Sequence, residues 1–165
     1  MRNRNVQLLR EKGFEGFYTV KELNALKVSR QFSSIVPATK GIYLFIRLNN
    51  TKPTFLEKGT GGGYKGKDPN VSIAELQENW VNDTHIMYIG KATKLKTRLS
   101  AYLRFGNNKS TSHWGGRLIW QLADSNDLIV CWKTTQEDPR KVEEEMIQVF
   151  KKEHGGQRPF ANLED

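Results

Sequence analysis

The stretch His85-Ile86-Met87-Tyr88-Ile89-Gly90-Lys91-Ala92-Thr93-Lys94-Leu95-Lys96-Thr97-Arg98-Leu99-Ser100-Ala101-Tyr102-Leu103-Arg104-Phe105-Gly106 changes its period midway. Its first part, through Gly90, is a β-branched and aromatic run that predicts a buried strand. Beyond it, Leu95, Leu99, Tyr102 and Leu103 recur at helical spacing, with Thr93 placed to cap the helix and Gly106 to stop it. Gly90, between the two, permits a close approach of backbone. Working outward, Pro37 breaks the chain ahead of Gly41-Ile42-Tyr43-Leu44-Phe45-Ile46, a second buried strand, and Leu128–Trp132 is a third. Asp138 at a cap, Pro139 at the first helical position and Gly155 after the last turn bound a final helix. Val6, Leu8 and Leu9 suggest a short helix, and Thr19-Val20-Lys21-Glu22 has the form of a capping box opening another. Val71–Val81 and Arg117–Ala123 read as further helices. The order of elements predicts an α+β fold, a small central sheet of about three strands flanked by helices. Residues 1–36 are expected to be a helical N-terminal extension and 37–165 one domain, with an insert at about 49–84.

Composition narrows the class. A chain of 165 residues suits one domain with a single core. The longest apolar runs, Ile42–Ile46 and Leu128–Trp132, fall far short of the roughly 20 residues a membrane helix needs. Met1-Arg2-Asn3-Arg4-Asn5 is basic, yet no apolar signal core follows before Glu11 and Lys12, so a cytoplasmic protein without membrane contact is expected. Cys131 is the only cysteine, which excludes an internal disulfide and a cysteine-based zinc cage.

Lys and Arg number 26 against 18 Asp and Glu, a formal charge of +8. The excess is concentrated. From Lys91 to Arg117 there are seven basic residues and no acidic one, and Tyr102, Phe105 and Trp114 are interleaved with them. Solvated helix faces usually mix signs. Lys94, Lys96, Tyr102, Arg104, Lys109 and Arg117 are therefore candidate nucleic-acid contacts. Gly61 to Lys67 has the G-x-x-x-x-G-K spacing of a phosphate-binding loop, but Asp68 stands where Ser or Thr should hold magnesium, and no strand leads in. A loop touching DNA backbone is the better reading.

Two triplets carry a resemblance. Gly41-Ile42-Tyr43 and Tyr88-Ile89-Gly90 occur in order, with Lys91, Arg98 and Tyr102 spaced after the second. The sequence resembles the GIY-YIG nuclease superfamily over about residues 37–162, and especially the nuclease module of the bacterial nucleotide-excision-repair incision subunit. The resemblance implies a mainly antiparallel sheet and a DNA endonuclease that hydrolyses phosphodiesters with Mg²⁺, for which Mn²⁺ can substitute. It also requires a metal-binding glutamate on a late helix, where Glu143, Glu144 and Glu145 compete. At about 100° per residue, Val142, Met146, Ile147, Val149 and Phe150 define an apolar stripe, and Glu143 lies roughly 50° from its centre. The other two lie about 150° and 110° away and face water on the same count. The family pattern of Glu followed by apolar residues three and four positions on (Met146, Ile147) selects Glu143 as well.

The implied catalytic set is Tyr43, Tyr88, Lys91, Arg98, Glu143 and Asn162, with His113 as a further candidate. Glu143 would hold the metal and Arg98 would neutralise charge on the phosphate. Tyr43 or Tyr88 would activate water, Tyr43 being favoured and Tyr88 a relay, with Lys91 lowering the phenol's pKa or orienting it. Cutting both strands would suit a homodimer. The chain departs from the family in the 44 residues between Tyr43 and Tyr88, against little more than a hairpin in compact members. Gly155-Gly156-Gln157 also lengthens the gap to Asn162. A catalytically silent DNA-binding module with this fold is the main alternative, and a nucleotide-binding protein using Gly61–Lys67 is a third.

Overall fold

All six residues of the strand Gly41–Ile46 (β2) are buried in the computed structural model, which describes residues 3–165. A strand covered on both faces needs neighbours at its edges and a layer above and below. β3 (Ile86–Ala92) and β4 (Ile129–Thr134) both pair antiparallel with β2. β1 (Glu15–Thr19) pairs antiparallel with β4, completing a four-stranded sheet in the order β1-β4-β2-β3. Met1 and Arg2, the first residues of the expected helical extension, lie outside the described residues.

The fourth strand corrects the expected strand number and adds a strand to the expected helical extension of residues 1–36. It lies between α1 (Arg4–Glu11) and α2 (Val20–Val28). Gly16 and Phe17 have φ of 96° and 64°, and the register against β4 shifts between Gly16 and Tyr18. A bulge of this kind destroys the period-2 alternation by which a strand is recognised. Immediately after it, the capping box forms as its residues predict. Thr19 Oγ1 accepts from the Glu22 N–H at 3.0 Å, and Glu22 Oε1 accepts from the Thr19 N–H at 2.9 Å.

Alternation along β2 sorts the layers. Tyr43 and Phe45 join a cluster with Leu99, Tyr102 and Phe105 of α5 (Leu95–Gly106) and with Trp120. Ile42, Leu44 and Ile46 meet Ile89, Cys131 and Ile147 of α6 (Pro139–Glu153) on the opposite face, with Leu9 of α1 packed alongside. The sheet thus separates α5 from α6.

Several boundaries differ from expectation for tertiary reasons. Thr93 does not cap α5: Lys94 occupies the cap position, and the N–H groups of Leu95 and Lys96 donate to Thr39 O and Pro37 O, both at 2.9 Å. α5 ends at Gly106 as expected, and a Cβ there would come within 2.5 Å of the Trp120 ring. Residues Arg117–Gln121 form a short 3-10 turn, not a helix reaching Ala123. The helix expected over Val71–Val81 is confined to Ile73–Asn79 (α4), after the brief α3 (Phe32–Ile35) and the loops of the insert. The insert is bound to the body by buried Gln121, whose Nε2 donates to Leu56 O at 3.0 Å and to Val71 O at 2.9 Å. Phe55 and Trp80 pack on Phe160, with ring centroids 5.8 and 5.4 Å away. Among the described residues, no helix is long and apolar enough to cross a membrane.

Candidate active site

β3 is an edge strand, so side chains from both of its faces can reach the same opening. Tyr88 and Ala92 belong to the α5 side, while Ile89 packs on the α6 side and Lys91, two residues on, shares its face. The opening is a cleft of about 690 Å³ between α5, α6, the loop around His113 and the C-terminal segment.

On α6, helix phase places the glutamates as the period predicts. Glu143 is buried, whereas Glu144 and Glu145 are exposed. The apolar stripe is narrower than expected: Val149 is 55% exposed, which leaves Glu143, Ile147 and Phe150 as the buried line. Lys91 Nζ donates to Glu143 Oε1 at 3.0 Å, with the carboxylate side chain 8% exposed and the ammonium 46%. The acceptor is therefore held in place by the sheet, and its cationic partner remains free to turn toward water.

Arg98 approaches from α5. Its Nη1 is buried and has no hydrogen-bond partner among the described residues. Burial alone pulls the guanidinium's pKa down, but the phenols of Tyr43, Tyr88 and Tyr102 more than offset this, and the net direction is up. Arg98 is thus a fixed cation in the cleft wall, with its Nη1 shut off from solvent.

The tyrosines divide. Tyr88 lines the cleft, and burial followed by the neighbouring Tyr43 pushes its phenol well above the usual phenol range. Tyr43 is not part of the cleft wall; it is fully buried, and its hydroxyl has no partner among the described residues. It lies against its pairing partner Gly90, where an added Cβ would fall 2.1 Å from Tyr43 Cζ. The close approach expected at Gly90 is therefore that of a ring. Tyr102 is corrected from a surface contact to a core residue, 1% exposed, whose hydroxyl donates to Gly116 O and anchors the loop bearing His113. His113 itself is exposed, and partial burial together with Arg98 lowers its pKa, so the imidazole is neutral at pH 7.

Of the other basic candidates, Lys94 and Arg117 line the cleft, while Lys96, Arg104 and Lys109 do not. Trp114 and Thr97 are cleft residues that the sequence did not assign to the site. The interleaving of Trp114 with cations was the only signal for it.

Asn162 reaches the site by a different logic. Its Oδ1 accepts from the Ile89 N–H and its Nδ2 donates to Ile89 O, both at 2.9 Å and both buried. The amide continues the ladder on the open edge of β3, with the Ala161 N–H donating to Met87 O at 2.9 Å beside it. Both amide groups are thus committed to backbone, which makes Asn162 a positioning residue for β3. Asn162→Ala is expected to destabilise the protein by about 2–3 kcal/mol, because two buried backbone groups lose their partners. Urea denaturation at neutral pH measures this.

A metal fits the carboxylate's chemistry. Glu143 is a hard oxygen donor at a pocket wall, and Mg²⁺ keeps most of its waters and needs few protein ligands. Compared with known proteins, the chain matches no family model, no curated protein and no solved structure.

Proposed function

We propose that this chain is a divalent-metal-dependent DNA endonuclease of the GIY-YIG type. The observation that carries the reading is the gathering of Arg98, Tyr88 and the Lys91–Glu143 pair in one cleft. Tyr88, Lys91 and Arg98 come from the consecutive elements β3 and α5, and Glu143 is brought to them by α6 from much later in the chain.

Lys94, Arg98 and Arg117, on the α5 side of the cleft, are the cations that meet a phosphate, while Asp138, Glu164 and Asp165 line the cleft as well. Arg98 donates to a non-bridging oxygen and offsets the charge that grows there as water's oxygen bonds to phosphorus and the ester bond breaks. Glu143 is the residue that would hold Mg²⁺, or Mn²⁺ in its place, and the ion would supply charge stabilisation for a leaving oxygen. Tyr88, kept protonated by its raised pKa, orients the phosphate or the attacking water by donating a hydrogen bond. We assign the proton-accepting role to His113 rather than to Tyr43, since His113 is neutral and lines the cleft.

The pH profile tests that assignment. His113 has a pKa below its ordinary 6.5, so it is already deprotonated at pH 7. The expected cleavage rate is level from about pH 7 upward and declines only in acid, below pH 6.5. A rate that keeps rising through pH 10 would instead identify a phenol as the base. The function as a whole is tested by magnesium-dependent cleavage of plasmid, single-stranded and branched DNA. Cleavage that requires the metal and disappears with Glu143→Ala and Arg98→Ala is expected. Salt-sensitive DNA binding without cleavage of any substrate would make the chain a binding module.

A further inference from the structure

The glycine-rich loop of the insert is laid along the end of α5 and the loop that carries His113. The Gly62 N–H donates to Phe105 O, the Asn108 N–H to Thr60 O and the Thr111 N–H to Gly63 O, each at 2.9 Å. The fit admits no side chain at Gly62, where a Cβ would lie 1.9 Å from Lys109 O. This docking brings Tyr64 against Trp114, with ring centroids 5.2 Å apart and planes inclined by 35°. Trp114 is itself in the cleft wall. The Arg117 guanidinium lies 4.8 Å from the Trp114 ring centre, and Lys65 Nζ lies 5.2 Å from that of Tyr64. Phe105 also stacks on Trp114, with centroids 6.5 Å apart and planes inclined by 20°, and both rings are partly buried, so what each keeps open to solvent is part of its surface.

Two partly open aromatic rings flanked by cations, leading out of a phosphate-attracting cleft, have the features of a single-strand binding surface. Unpaired bases offer a π-face to such rings, while phosphates meet the cations. Bases inside a continuous duplex are already stacked on one another and offer no face. We propose that Tyr64 and Trp114 form a stacking platform for an unpaired nucleotide next to the scissile phosphate, so that the substrate is DNA carrying a single-stranded element, such as a fork or flap. The insert is then the specificity element of the site. This inference rests on the nuclease reading of the cleft.

The test is fluorescence anisotropy with the full chain in EDTA, comparing a labelled forked DNA with a blunt duplex of equal length. The wild type is expected to prefer the fork by at least about fivefold, as one stacked base provides. Tyr64→Ala is expected to remove most of that preference, losing about fivefold or more on the fork and less than twofold on the duplex. Tyr64→Phe, which keeps the ring, should restore it. Equal wild-type affinity for the two DNAs would overturn the platform, as would a Tyr64→Ala loss that is the same for both.

A parallel magnesium cleavage assay separates this inference from the reading beneath it. Cleavage without fork preference removes the platform and leaves the nuclease. Fork preference that depends on Tyr64, without cleavage, removes the nuclease and retains the platform as a DNA-binding surface.

Discussion

Glu143→Ala is expected to lower magnesium-dependent DNA cleavage by about a thousandfold or more, equivalent to roughly 4 kcal/mol of transition-state stabilisation. The loss should appear in the chemistry rather than in folding. Glu143 is buried, but its partner Lys91 is nearly half exposed and can rehydrate when the carboxylate is gone. The ion pair is therefore worth no more than about 1 kcal/mol to stability. Glu143→Gln preserves shape and a neutral acceptor, yet should lose nearly as much activity, because a hard cation prefers the anionic oxygen. Plasmid nicking against magnesium concentration, with urea denaturation of the same samples, separates the two effects. A Glu143→Ala protein that is folded and still cuts at the wild-type rate would remove Glu143 from the site. Arg98→Lys is expected to fail almost as completely as Arg98→Ala, since an ammonium cannot reproduce the forked donors of a guanidinium in a buried setting.

A large loss of stability is expected at Gly90. An added methyl would lie 2.1 Å from Tyr43 Cζ and 2.5 Å from its hydroxyl oxygen, distances no packing tolerates. Tyr43 cannot simply move aside, because it is fully buried and surrounded by Phe45, Tyr88 and Tyr102 at ring separations of 6.0 to 6.3 Å. Gly90→Ala should thus cost about 3 kcal/mol or more, as an overpacked core at the β2–β3 pairing. A denaturation midpoint close to that of the wild type would show that the ring has somewhere else to go. Gly66 provides the contrasting control, since a Cβ there meets nothing within 4 Å. Its φ of 76° still strains any side chain, so Gly66→Ala should cost about 1 kcal/mol, less than Gly90→Ala.

What local sequence encodes, it encoded well. The three strands Gly41–Ile46, Ile86–Ala92 and Ile129–Thr134 follow from apolar runs, and the capping box at Thr19 and Glu22 and the Asp138–Pro139 start of α6 follow from neighbours a few positions apart. The burial of Glu143 between two exposed faces of the same helix also follows, because helix phase relates residues one turn apart. Each of these depends on relations within about four residues.

Other features needed partners that local pattern does not name. Tyr102 falls both on the apolar line of Leu95, Leu99 and Leu103 and among the cations of a basic stretch, and the packing of α5 on the sheet decides for the core, with its hydroxyl on Gly116 O. Thr93 has the chemistry of a cap but is displaced by carbonyls of Pro37 and Thr39, which the sheet brings to the helix start. Asn162 enters the sequence reading only through the resemblance, and its pairing with the edge of β3, 73 positions earlier, is visible only in the structure. β1 hides because its bulge removes the alternation, and its pairing with β4 is a contact across more than a hundred residues. Sequence alone determined the three inner strands and the long helices and which of their faces are apolar, β1 excepted, since those follow from short-range sterics and periodicity. Tertiary structure decided which side chains share the cleft, because that depends on where the sheet sets one segment against another distant in the chain.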